Sequence, residues 1–203
     1  MRRLPPVLLF VSLLMVTAML TSFGLLEASL GASVRLVYLH GAWLWTALVG
    51  LAAAAAAGLV GLLLCRPAFQ NGPVAPGQAV AFSWVTYLPL HLWTMRASWN
   101  GLTLGEPRWR VSLSSAVIAV LLQLAILAFN RLEWASAVNT AFFIILAWTL
   151  SPTEQVMHPP SPIAASGSVA MRGFFLGLLA LCLLAGWLLS RMMVTRPLRR
   201  PAD

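Results

Sequence analysis

Long apolar stretches alternate with short polar ones along the chain, and six of the apolar stretches are long enough to cross a bilayer. A spanning helix needs ~20 predominantly apolar residues. The qualifying runs are about 5–26, 37–64, 78–97, 111–129, 134–150 and 171–193. Lipid offers no water to backbone N–H and C=O groups, so each run is expected to form a helix that satisfies its own hydrogen bonds. The expected fold is all-α: one polytopic domain over residues 1–203 with six transmembrane helices. The first run follows Arg2 and Arg3, as a signal peptide would. It is long for a cleaved apolar region, and Leu26-Glu27-Ala28-Ser29 lacks a clear cleavage triplet, so a retained helix is expected.

Composition narrows the class. Sixty per cent of the 203 residues are apolar and only 9% are charged, against about a quarter charged in average globular chains. So few charges cannot cover a soluble fold, and so much apolar content excludes intrinsic disorder. The net charge of +8 comes from thirteen arginines and no lysine. In a membrane protein such an excess orients the helices, so the lipid bilayer is the expected partner and nucleic acid is not. Six spans place both termini on one side. With the termini inside, the inner arginines are Arg2, Arg3, Arg66, Arg131, Arg191, Arg196, Arg199 and Arg200, and the outer ones are Arg35, Arg96, Arg108, Arg110 and Arg172. That bias predicts cytoplasmic termini and a multi-pass protein of the cell (plasma, or inner) membrane. The stretch Arg196-Pro197-Leu198-Arg199-Arg200-Pro201 reads as a solvated anchor for the last helix, able to touch anionic lipid.

Several chemistries are excluded. Cys65 and Cys182 show neither a CxxC nor a paired spacing, so no thiol-redox role is supported. The sole aspartate, Asp203, stands at the end opposite the histidines, which rules out Ser/His/Asp catalysis. There is no Gly-rich phosphate loop, and zinc would want three or four ligands. The last two helices are neither shortened nor broken, so the inverted-repeat mark of a secondary transporter is missing. The expectation is a protein that is not an enzyme.

The outer links hold the remaining chemistry. His40 is expected at the outer start of the second helix, His158 in the loop after the fifth, and His91 about five residues inside the outer end of the third, some ~7–8 Å deep. Two histidines from distant segments on one face suit bis-imidazole ligation of haem iron. They equally suit hydrogen bonding at the headgroup level, and His91 favours packing or hydrogen bonding. Trp43, Trp45, Trp93, Trp99 and Trp109 all fall near that face. They form either an aromatic belt or a flat platform for a porphyrin. Arg108 and Arg110 flank Trp109, and Arg35 is near His40; all can pair with propionates or with lipid phosphates. Ser151, Pro152 and Glu154 fit a capping box for a short helix that Pro159-Pro160 would stop. Gly50, Ala53, Ala57 and Gly61 form a small-residue stripe expected to serve packing within the chain, and Trp84, Trp134, Trp148 and Trp187 are belt or packing residues.

Three segments, taken in order, resemble the cytochrome c assembly family, most closely its six-helix haem exporter protein C branch. The first is Ser33-Val34-Arg35-Leu36-Val37-Tyr38-Leu39-His40 with Trp45; the second is Trp99 through Ser115; the third is Val156-Met157-His158-Pro159. The likeness in order and spacing runs over about 5–193. It implies haem b as a transient cargo, held at the outer face with His40 and His158 as axial ligands, Trp99 and Trp109 against the ring, and Arg108 and Arg110 on the propionates. It also implies other cytochrome c maturation or haem-delivery membrane proteins as partners. The second segment departs from the family, whose loop is a tryptophan run ending in aspartate. Here only Trp99 and Trp109 stand, no aspartate is present, and arginines interrupt the aromatics. The alternative is a structural or accessory subunit that keeps the scaffold without haem. An electron-transfer subunit would need a histidine pair buried within the helices, and from sequence only His91 is even partly buried.

Overall fold

The structure, a computed structural model, describes residues 5–150, 163 and 166–193. Within them the chain is all-helical: α1 Pro6–Ser22, α2 Val34–Leu64, α3 Pro67–Gln70, α4 Val74–Trp99, α5 Pro107–Phe129, α6 Leu132–Leu150 and α7 Val169–Met192. The only extended pairing among the described residues is an isolated bridge between Glu27 and Gly31 in the α1–α2 link.

Local chemistry sets the helix ends. Pro6 and Pro107 open α1 and α5, where the missing N–H costs nothing. Ser168 caps α7, its hydroxyl accepting from the Met171 N–H at 3.3 Å. Three helices stop at a residue in the left-handed conformation: α2 at Cys65 (φ 50°), α4 at Asn100 (φ 58°) and α5 at Asn130 (φ 53°). Asparagine tolerates that conformation, and cysteine does so at a cost. Inside the helices, polar side chains return to their own backbone. Thr17, Thr21, Thr46, Ser83 and Thr94 each donate to the carbonyl four residues earlier, so a hydroxyl in an apolar helix leaves no orphan donor.

Four helices, α2, α5, α6 and α7, are long and apolar enough to cross a membrane. This is coarser than the six expected spans. α1 has 17 residues and falls just short. α4 has length to spare at 26 residues, but Gln78, Ser83, Thr86, Tyr87, His91, Thr94 and Arg96 dilute its apolar run. Most of that polarity faces inward: Ser83, Tyr87, His91 and Thr94 are all buried. The bundle's outside is apolar, with Met15, Phe23, Leu63, Trp148 and Val169 among its most exposed side chains, as lipid contact requires.

α2 is the axis of the bundle, touching α1, α3, α4, α6 and α7. Ser33, just before α2, donates to the Ala97 carbonyl near the end of α4 at 2.9 Å, so those helices run antiparallel. Late in α2, Gly58 and Gly61 lie against Ser136 near the start of α6, and this pair is antiparallel too. Tyr38 of α2 meets Phe174 of α7 edge-on at 5.1 Å, near the start of both helices, which are parallel. Thus α2, α5 and α7 begin, and α1, α4 and α6 finish, at one end of the bundle. At the other end lie Cys65, α3 and the tight α5–α6 turn. The expected stripe on α2 is interrupted, because Ala53 is exposed. Close approach occurs instead at Gly58, where an added Cβ would stand 2.6 Å from the Ser136 carbonyl oxygen, and at Gly61, 2.9 Å from the Gln70 Cα.

Candidate functional site

At the end where α2 begins, α2, α4 and the α4–α5 link bring protic side chains together inside the bundle. α4 contributes Trp84, Tyr87, His91 and Met95 from one face, all buried, because spacings of three and four return to the same side of a helix. α2 contributes His40, 8% exposed. The link contributes Glu106 in three steps. Asn100 turns the chain left-handed, the Thr103 N–H lies 3.2 Å from the Met95 Sδ, and the Glu106 N–H donates to the Thr103 carbonyl at 3.0 Å. Glu106 then occupies the N-cap position of α5, yet its carboxylate turns inward over α4 and is 3% exposed.

These groups form a chain. The Tyr87 Oη is 3.1 Å from the His40 Nε2 and 2.8 Å from the His91 Nδ1. On its far side the His91 Nε2 is 3.8 Å from the Glu106 Oε2. The rings are in contact as well: His40 and His91 centroids are 4.9 Å apart, and Trp109 lies on His91 at 5.4 Å. Burial pushes the Glu106 carboxyl above its ordinary value, while the Arg108 guanidinium and the Trp109 backbone N–H pull it back. Glu27, in the exposed α1–α2 link, shows the opposite case. Its carboxylate accepts from the Ser29 hydroxyl and from the backbone of Ser29 and Leu30, which lowers its pKa.

The residues singled out from sequence are distributed unevenly. His40 is buried within the bundle: α2 starts at Val34, which sets His40 nearly two turns in. His91 is also deeper than expected, because α4 runs on to Trp99 and leaves His91 eight residues, ~12 Å, from its end. Trp109 is buried on His91, Trp99 is half-buried at the end of α4, Arg108 is half-buried, and Arg110 is exposed. Arg35 donates from its Nε to the Gly24 carbonyl at 3.1 Å, tying the α1–α2 link to α2. Trp43 is buried and donates to the Thr86 Oγ1 at 3.0 Å, whereas Trp45 and Trp93 are exposed. His158 and the Ser151-Pro152-Glu154 capping box lie outside the described residues. Among the described residues no three His, Cys, Asp or Glu side chains gather as a metal would need.

Sequence reasoning undervalued Tyr87, His91 and Glu106. The signal was present in the Tyr-x-x-x-His spacing, which stacks both side chains on one helix face. The pairing of His40 with His91 was not visible, because it depends on how α2 and α4 pack. No family model, curated protein or solved structure matches the chain.

Proposed function

We propose that this is a six-span membrane protein with both termini cytoplasmic, which holds haem at the outer end of its bundle and passes it to partners in cytochrome c assembly. Haem is its cargo. The observation that carries the reading is positional. His40 lies at the end of the bundle where α6 finishes at Leu150 and α7 resumes at Val169, so the link bearing His158 leaves and returns on the side of His40. Ionisable groups buried in a membrane bundle are costly, and they are retained where they act. Among the described residues the buried histidines and the buried glutamate cluster at that end.

As cargo ligands, His40 and His158 would take the two axial positions, with Trp99 and Trp109 toward the ring and Arg108 and Arg110 toward the propionates. The described residues do not fit a bound macrocycle as they stand. His40 and Trp109 are inside the bundle, the His40 Nε2 is engaged by Tyr87, and the contact between the His40 and His91 rings leaves no gap for a macrocycle between them. To serve as a ligand, His40 would have to leave Tyr87. Holding and releasing a cargo breaks no covalent bond, which is why no enzymatic step is assigned.

This packing favours a second reading, an accessory subunit in which the His40–Tyr87–His91–Glu106 chain only fastens α2 to α4 and α5. Absorption spectroscopy separates the two. Protein purified from haem-replete cells is expected to show a Soret band with the α and β bands of six-coordinate haem. A colourless preparation that does not respond to added hemin would contradict the haem reading and leave the accessory one.

A further inference from the structure

We propose that the cleft between α5 and α6 holds one phospholipid, with an acyl chain in its apolar depth, an ester carbonyl on the Ser115 hydroxyl and the phosphate at Arg110. The inference asks nothing of the haem reading beyond sharing Arg110 with it. Near the tight α5–α6 turn the two helices pack closely through Ile126, Leu132 and Ala135, and the Gln123 Nε2 donates to the Asn139 Oδ1 at 3.1 Å. Farther from the turn, toward the histidine end, a cavity of about 280 Å³ lies between them. Ser114, Ser115, Ile118 and Leu122 of α5 line it, facing Phe142 and Ile145 of α6. Ile118 and Ile145 are also exposed on the outside of the bundle, so the cleft opens sideways to lipid.

Ser115 marks the cleft as a binding site. It is 5% exposed, yet its hydroxyl bonds to no other described residue, whereas Ser114 beside it donates to the Arg110 carbonyl at 2.8 Å. A hydroxyl left without a partner in hydrocarbon is costly, and an ester carbonyl is an acceptor for it. The chemistry is layered along α5. Arg110 is exposed one turn before Ser114, and its guanidinium lies near Gly105 at the end of the bundle. It stands ~7.5 Å along the helix axis from Ser115, and Leu122 stands ~10 Å farther on. Charge, then donor, then apolar wall matches the order of phosphate, ester and acyl chain. Glu106, the carboxylate nearest in sequence, is buried and turned toward His91, so the charge of Arg110 is left for an anion. A partner helix suits the cleft less well. A helix is ~10–12 Å across and seats against small residues, whereas Ile118, Leu122, Phe142 and Ile145 leave a slot for a single chain.

The test is native mass spectrometry of the full chain, delipidated in detergent and kept free of hemin, titrated with phosphatidylglycerol and, as the arm that lacks phosphate, with diacylglycerol. One phosphatidylglycerol is expected to bind ahead of a weaker series, and diacylglycerol to bind that site about fivefold less tightly. Arg110→Gln should weaken the first phosphatidylglycerol about fivefold and leave diacylglycerol unchanged. Ser115→Ala should weaken both lipids about fivefold. Ala141→Trp, which fills the cleft from α6, should abolish the first site. A series with no first site, equal binding of the two lipids, or a first site that any of these variants leaves intact overturns the proposal. So does a change of oligomeric mass in Ala141→Trp, which would give the cleft to a second copy of the chain. If Ala141→Trp does not fold, Ile145→Trp carries the same expectation, and if neither folds the Ser115→Ala result decides.

Discussion

Glu106 shows how one side chain can answer to two demands. As the N-cap of α5 it stands where a carboxylate gains from the helix dipole, yet it turns inward toward His91 and is desolvated there. Its folded-state pKa is therefore raised above the ordinary 4.5. The folded protein holds the Glu106 proton at pH values where the unfolded chain has lost it. This group's contribution to stability is then fullest at low pH and declines as pH climbs from the ordinary carboxyl range through the raised pKa. Glu106→Gln should remove that decline. Thermal melts in detergent across pH 4 to 8 check it, since the gap between the unaltered protein and the variant must change with pH. At this scale the sequence was least informative. His40 and Trp109 could be named from their neighbours in the chain, whereas Tyr87, His91 and Glu106 become a chain of contacts only when three separate segments meet.

Helices were the most legible feature, because a bilayer-length apolar run has few other readings. The expected ends of the six long helices agree with the structure to within about four residues, and the starts of the second through sixth were each expected two to four residues late. Those first turns hold Val34-Arg35-Leu36, Pro76 and the Arg108-Trp109-Arg110 cluster, interfacial residues that continue a helix without continuing its apolar run. The four-residue α3 falls between two of the expected runs, where proline at its first position gives no periodicity to detect. Packing between elements was legible only in outline. Small residues on α2 pointed to a close neighbour, but which of them meets it depends on the crossing with α6. Gly58→Ala places a methyl 2.6 Å from the Ser136 carbonyl oxygen, a backbone atom that cannot step aside, whereas Gly177→Ala in α7 meets nothing within 4 Å. The first should destabilise by ~1–3 kcal/mol. The second should be neutral or gain up to ~1 kcal/mol from helix propensity. Parallel thermal melts distinguish them, and equal effects would contradict the α2–α6 contact.

For the whole molecule, alternating helix directions divide the bundle into an end with the buried histidines and an end with Cys65. The proposed topology, which follows the arginine bias, puts the Cys65 end in the cytoplasm. The two cysteines provide a direct check, because Cys65 is exposed and Cys182 is buried. A membrane-impermeant maleimide should leave intact cells unlabelled and react at Cys65 once the membrane is opened, with the Cys65→Ser variant silent in both conditions. Labelling of Cys65 in intact cells would invert the topology and place the histidine cluster inside. The packing of the site could not be read from the sequence, since it depends on a hydroxyl lodged between two imidazoles from neighbouring helices.

The account depends most on His40 and His158 sharing one iron. The direct measurement is the absorption spectrum of the purified protein after hemin addition, set beside that of a His40→Ala/His158→Ala double variant at equal concentration. A six-coordinate spectrum in the unaltered protein that disappears in the double variant is the predicted result. Identical spectra in the two, with or without a Soret band, would contradict it.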